Sequence, residues 1–160
     1  MQVKDNNSVQ LAKDSLQVQP RFMFGLRGDV HNNIHYIDDG TILYPCGHNI
    51  VIYRTTDRSQ QYIPGIQGSE GITAIALSHN KKVLAVCEKS SKAVCSLYNI
   101  ASFLAIPKEK KVQVYDHNNK KKRVLVSTDL DATEFVSAAF SGINEKLLAT
   151  LTGNLQVVLW

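Results

Sequence analysis

No run of apolar residues in this chain is longer than a few positions, Ile50-Val51-Ile52-Tyr53 being typical. A membrane-spanning helix needs about 20, so none is expected. The first 20 residues are polar and carry Lys4, Asp5 and Lys13. They lack the apolar core of about 7–15 residues that a secretory signal requires, which predicts a cytosolic setting. Cysteine is scarce: Cys46, Cys87 and Cys95 are three in number and fit no metal or redox spacing. A disulfide framework is thereby excluded as the main source of stability. Charged residues are also few, 20% against 44% hydrophobic, a mix too apolar for a disordered chain. The 160 residues suffice for one domain with a sizeable core.

Charge is unevenly spread. Lys108, Lys110, Lys111, Lys120, Lys121, Lys122 and Arg123 face only Glu109 and Asp116 in the same stretch, a net +5. The whole chain carries +4, so everything else sums to −1. One segment makes the protein basic on a nearly neutral body, which is unlike a surface devoted to nucleic acid.

Residues 1–21 read as a flexible N-terminal tail, and order is expected from Phe22 onward. From there short apolar runs alternate with turns. Ile34-His35-Tyr36-Ile37 meets Asp38-Asp39-Gly40, and Asp-Gly is a strong hairpin signal because Gly tolerates positive φ. Thr41–Tyr44, Ile50–Tyr53 and Tyr62-Ile63 follow. A second series comprises Ile72–Leu77, Val83–Cys87, Ala93–Tyr98 and Val124–Val126. A third comprises Phe135–Phe140, Leu147–Leu151 and Leu155–Trp160. Matching positions are Ile34, Ile72 and Val136 in first strands, and Ile42, Val83 and Leu147 in second strands. Third strands end on Tyr53, Tyr98 and Trp160.

A unit of about 40 residues with four strands is the period of WD-type propeller blades. The prediction is an all-β fold, a partial WD-repeat β-propeller of about two and three-quarter blades over residues 22–160. A basic insertion falls at about 101–123. A plain antiparallel sandwich has similar strand spacing; the repeated order of features favours the propeller. Propellers close with about 4–8 blades, so a chain ending mid-blade at Trp160 reads as the N-terminal part of a larger repeat protein. Leu84, Val86, Leu148 and Val158 are expected at blade-to-blade contacts, and Phe22–Gly28 as an outer strand completing the last blade of a full ring.

The stretch Phe24-Gly25-Leu26-Arg27-Gly28-Asp29-Val30-His31-Asn32-Asn33-Ile34-His35-Tyr36-Ile37-Asp38 resembles the opening of the N-terminal propeller in the cilia- and flagella-associated protein 57 family. Gln61-Tyr62-Ile63-Pro64-Gly65 is similar to the end of that family's first blade, and Phe135–Ser141 to the start of a later one. The resemblance implies a non-enzymatic protein-interaction scaffold of the ciliary axoneme. It implies association with inner dynein arms, the neighbouring regulatory complex and doublet microtubules, and support of ciliary motility. Localisation would be the axonemal cytoskeleton. It also implies a coiled coil beyond the propeller. The alternative is a generic WD-repeat adaptor in another cytosolic assembly.

Catalytic signatures are missing: there is no phosphate loop, no G-x-S-x-G and no H-E-x-x-H. No cofactor and no small-molecule substrate are expected. Gly65, Gly68 and Gly71 read as a blade-to-blade connection. His31 and His35 are four apart, but on a strand that is about 13 Å, too far for one metal ion. Cys46 and His48 are half a metal site without a second pair. Cys87 and Cys95 fall on consecutive strands and are expected near each other as buried hydrophobes. Asp129, Asp131 and Glu134 read as a solvated loop rather than an acid–base pair. The basic segment, Lys108, Lys110, Lys111, Lys120, Lys121, Lys122 and Arg123, is the candidate interaction site. It is a solvated loop, a contact for an acidic protein surface, or a contact for nucleic acid or anionic lipid. Tyr115 is its only aromatic, which disfavours base stacking.

Overall fold

The computed structural model describes residues 22–100, 121–126, 132–144 and 146–160, with 121–126 as backbone. They form strands and turns without a helix, and none of them makes a helix long and apolar enough to cross a membrane. Three antiparallel sheets follow one another along the chain. The first is β1 (His35–Asp38), β2 (Thr41–Cys46), β3 (Asn49–Arg54) and β4 (Ser59–Pro64). The second is β5 (Gly71–Leu77), β6 (Val83–Lys89), β7 (Val94–Asn99) and β8 (Lys121–Val126). The third is β9 (Phe135–Phe140), β10 (Leu148–Thr152) and β11 (Val157–Leu159). Each sheet pairs its strands in sequence order, as a meander does. Two four-stranded units and a three-stranded one are what the repeat predicted.

Local chemistry sets the turns. Between β2 and β3 the loop is Gly47-His48, with Gly47 at φ +57°, the left-handed position a two-residue hairpin asks for. The Asp39-Gly40 hairpin forms as expected, but Gly40 is not at positive φ. Its amide is held by Asp38 Oδ1 at 2.8 Å, and its carbonyl accepts Thr55 N at 2.7 Å. The β5–β6 and β9–β10 turns share a device. Ser78 Oγ accepts Val83 N at 2.9 Å, and Ser141 Oγ accepts Asn144 N at 3.0 Å. Each serine's own amide closes the turn, onto Val83 O and Leu147 O.

Alternation along the middle sheet divides its apolar residues by size. Ile72, Ile75, Leu84, Val86 and Tyr98 join Leu43, Ile50 and Ile52 of the first sheet in one core. Ala74, Ala76, Ala85, Cys87 and Cys95 point the other way and meet Phe135, Ala138 and Leu148 of the third sheet. Trp160 seals that second core, with its ring edge-on to Phe135 (centroids 6.2 Å, planes at 86°) and Nε1 donating to Thr150 Oγ1 at 2.9 Å. Leu84, Val86 and Leu148 are buried at these contacts and Val158 is partly buried, as their repeat positions predicted.

Two of the expected equivalences are one residue out, and a third is three out: Tyr36 pairs with Ile42 as Leu77 does with Leu84, so Ile34 matches Ile75 and not Ile72. Leu77 pairs with Leu84, and Phe140 with Leu148. Counting back along β5 and β9 then makes Phe135, not Val136, the match of Ile72. Tyr53 pairs with Ile42 and Tyr98 with Leu84, so Ile42 matches Leu84 and the match of Val83 is Thr41. A one-residue slip moves a side chain to the other face, so these corrections decide which surface each residue covers. The segment 22–27 forms no strand; it lies against the outer face of the first sheet, where Met23 packs on Cys46, Val51 and Tyr62.

Candidate functional site

At one end of the stack, three elements bring polar groups together between the first and second sheets. His48 comes from the β2–β3 turn, Ser69 from the 65–70 connection, and Glu88 from near the end of β6. Glu88 is fully buried. Its Oε1 accepts from Ile66 N at 2.8 Å, Ser69 Oγ at 3.0 Å and His48 Nε2 at 3.1 Å. Nε2 of His48 is also in contact with Ser69 Oγ. A Cβ at Gly65 would lie 2.1 Å from the His48 ring and 2.8 Å from Glu88 Oε1, so a larger residue there would displace the His48 ring from the carboxylate. A serine, a histidine and a carboxylate suggest nucleophilic catalysis, but the wiring is wrong. A relay needs serine and carboxylate on opposite ring nitrogens; here both meet Nε2. The trio instead ties the inter-sheet connection to both sheets.

Beside it lies a cleft of about 420 Å³ lined by Arg27, Asp29, His31, Glu70, Lys89 and Glu134, among others. It gathers the loop before β1, the start of β5, the end of β6 and the approach to β9. Arg27 Nε donates to Asp29 Oδ1 at 3.0 Å, and this hydrogen bond holds the Asp29 carboxyl below its usual range. Lys89 reaches Glu70 at 3.1 Å, and that bond, with the nearby Glu134 charge, raises its ammonium. Charges of both signs are paired around the rim, which suits contact with polar groups of a protein surface more than capture of one ion.

The other candidate residues have separate surroundings. His31 lines this cleft, while His35 Nε2 is buried without a partner and burial lowers its ring below the usual histidine range. Cys46 faces the outer side and donates to Phe24 O at 3.2 Å, so it is not beside His48's partners. Among the described residues no group of three or more His, Cys, Asp or Glu is placed to hold a metal ion. Cys87 and Cys95 are direct register partners, both fully buried as free thiols. Their mutual hydrogen bond, then burial, pushes the Cys87 thiol well up. The connection bearing Gly65, Gly68 and Gly71 joins β4 to β5, and the last two glycines have φ of +84° and +151°.

Of the basic segment, Lys108, Lys110, Lys111 and Lys120 lie outside the described residues, as do the tail 1–21, most of the insertion, and Asp129 and Asp131. Lys121, Lys122 and Arg123 do not belong to a loop. They open β8, three residues earlier than Val124, paired to β7 through Tyr98↔Lys121 and Leu97↔Arg123. Sequence reasoning passed over Glu88 and Ser69. The available signal was a carboxylate directly after the apolar run Val83–Cys87, a position that requires buried partners.

No protein-family model matches the chain. It is 32% identical over 146 residues to mouse cilia- and flagella-associated protein 57, across 89% of this chain. It is 33% identical to the Tetrahymena thermophila proteins 57 C and 57 A, across 47% and 53% of this chain. The chain spans 11% of the length of the mouse relative and 6% and 7% of the Tetrahymena ones. Among solved structures it is similar to the C-terminal WD40 domain of Sif2, with a TM-score of 0.59 and 9% identity. That match covers 79% of this chain and 32% of the other. The Cps50 (Swd1) β-propeller of Myceliophteria thermophila gives 0.56 at 13% identity, covering 81% and 35%. These likenesses show the fold: three consecutive sheets of a WD40 β-propeller.

Proposed function

The chain is homologous to cilia- and flagella-associated protein 57, and on that premise we propose that it serves as a non-enzymatic protein-interaction scaffold of the ciliary axoneme. It associates with inner dynein arms and doublet microtubules and supports ciliary motility. The observation that carries the reading is homology over 89% of the chain to a cilia-associated protein, on a fold of stacked sheets. The relay-incompetent wiring of His48, Ser69 and Glu88 supports binding over catalysis.

The basic residues supply the contact. Lys121, Lys122 and Arg123 sit on the outermost strand of the second sheet, continuous in sequence with Lys108, Lys110, Lys111 and Lys120. Cations clustered on a neutral body steer association with an acidic surface, and the surface of a microtubule doublet is the acidic partner proposed. Salt weakens such attraction as the Debye length falls from about 10 Å at 0.1 M to about 3 Å at 1 M.

A tagged chain expressed in ciliated cells should concentrate along the axoneme, and graded salt should release it. Replacing Lys120, Lys121, Lys122 and Arg123 with Ser should release it at lower salt and flatten the salt dependence. Diffuse cytosolic signal would reject the axonemal reading. Unchanged extraction curves would reject the basic contact alone.

A further inference from the structure

The charged cleft and the basic residues sit at opposite ends of the middle sheet. Gly71 pairs with Lys89 at the cleft, and Tyr98 pairs with Lys121 at the other end. The seven residues of β6, Val83–Lys89, put about 20 Å between the two. Segments of all three sheets wall the cleft, and the first and third sheets are each packed on the middle one, so its shape is set within these residues. The loop before β1 is tied to β2 by Arg27 N, which donates to Pro45 O at 3.1 Å, and is closed on itself by Asn33 Nδ2, which donates to Arg27 O at 2.8 Å. A bridge between His31 and Ala74 fastens it to β5. The Arg27 side chain lies over Gly71, where a Cβ would come within 2.7 Å of Nη1.

Carboxylates outnumber cations in this cleft. Asp29, Glu70 and Glu134 stand against Arg27 and Lys89, three against two with His31 counted as neutral. Asp29 holds Arg27, and Glu70 holds Lys89. Among the described residues Glu134 has no ion pair of its own and only adds its charge near Lys89. Thr73 Oγ1, in the same lining, is buried without a partner. Both cations already have an acid, and the groups left over accept.

We propose that the cleft receives a lysine or arginine side chain from a basic segment of a partner protein. Such a side chain has donors and no acceptor, so it meets Glu134 without competing for the carboxylates that hold Arg27 and Lys89. Its apolar stem lies along Val136, which is partly exposed in the lining. The chain then carries complementary contacts at its two ends: cations for an acidic surface at one, an acceptor cleft for a basic segment at the other. This extends the scaffold reading and does not depend on the basic contact.

The probes are tripeptides blocked at both ends, with arginine, lysine or glutamine between two alanines, titrated into the 160-residue chain and followed by backbone amide shifts. The chain's net charge of +4 repels a cationic peptide overall, so any attraction must be local. The arginine and lysine peptides should move the amides of Arg27–His31, Gly71–Thr73, Lys89 and Glu134. They should bind about fivefold more tightly than the glutamine peptide, a difference that one exposed ion pair can supply. Glu134→Gln should weaken that binding about threefold. Lys89→Gln, which frees Glu70, should strengthen it about twofold, a gain that misfolding cannot produce. The proposal is overturned if the glutamine peptide binds equally, if the shifts fall outside the cleft, or if either variant binds like the parent. Any of those results leaves the basic contact and the ciliary reading standing, since neither uses these residues.

Discussion

The two inter-sheet cores are built from the same middle sheet by opposite means. Towards the first sheet it presents Ile72, Ile75, Leu84, Val86 and Tyr98 and meets Leu43, Ile50 and Ile52, branched aliphatic side chains on both sides apart from the one tyrosine. Towards the third sheet it presents alanines and cysteines, and the missing volume comes from Phe135 and Trp160 opposite. Interiors fill to crystal-like density. One interface achieves this by matching medium side chains, the other by setting small against large. The difference teaches that burial alone does not identify equivalent positions here: Ala85 and Leu84 are both fully buried, yet each fits only its own side.

The largest effect is expected on the aliphatic side. Leu84→Ala leaves a cavity between two close-packed sheets and should cost about 2–5 kcal/mol, read as a lowered urea midpoint. Ala85→Leu forces extra volume towards Phe135 and Leu148 and should cost about 1–3 kcal/mol. If Ala85→Leu proved neutral, the small-against-large account of the second core would be wrong. Third comes the polar tie between the first two sheets. Glu88→Ala strips the acceptor from Ile66 N, Ser69 Oγ and His48 Nε2 and should cost about 1–3 kcal/mol. Ser69→Ala should cost less, because Glu88 keeps two donors.

Alkaline pH separates the cores without changing a side chain. Cys87, in the second core, has its thiol raised by Cys95 and burial; Tyr98, in the first, has its phenol raised, by burial foremost. Both are neutral when protonated, so a raised folded pKa means stability that is full below the unfolded value and declines above it. Those values are about 8.5 for Cys and about 10 for Tyr. Stability should therefore begin to fall near pH 8.5 through the second core, and further near pH 10 through the first. Cys87→Ala should delay the onset, and Tyr98→Phe should lessen the later fall, in unfolding curves collected between pH 7 and 11. The smallest effect is at the sheet edge. Lys121→Ala and Lys122→Ala should stay within about 0.5 kcal/mol of the parent, since β8 is an outermost strand.

The middle and third sheets were legible strand by strand because alternation and turn chemistry are local. Ile72–Leu77 and Phe135–Phe140 announce strands by themselves, and Ser78 and Ser141 announce the turns after them. The aromatics Tyr53, Tyr98 and Trp160 occupy matching register positions, opposite Ile42, Leu84 and Leu148, although β3 and β7 run one residue further and β11 stops at Leu159. Facing was harder. Within an apolar run, an offset of one residue cannot be seen without the partner strand, because either residue fits the local pattern. That is why Val136 stood for Phe135 and Ile42 for Thr41.

The cations at 121–123 misled for a related reason. Lys-Lys-Arg has a loop's composition, but an edge strand tolerates charge, and only pairing with β7 places them in β8. Likewise, nothing in the sequence ties His48 to Glu88, forty positions apart. The sequence by itself determined the all-β class, the strand order and the repeat, because these follow from the period of two and from residues within one turn. Tertiary structure alone decided which face of each sheet meets which neighbour, where the buried carboxylate finds its donors, and which surfaces stay open. Those outcomes depend on register between distant segments, and a shift of one residue reverses every one of them.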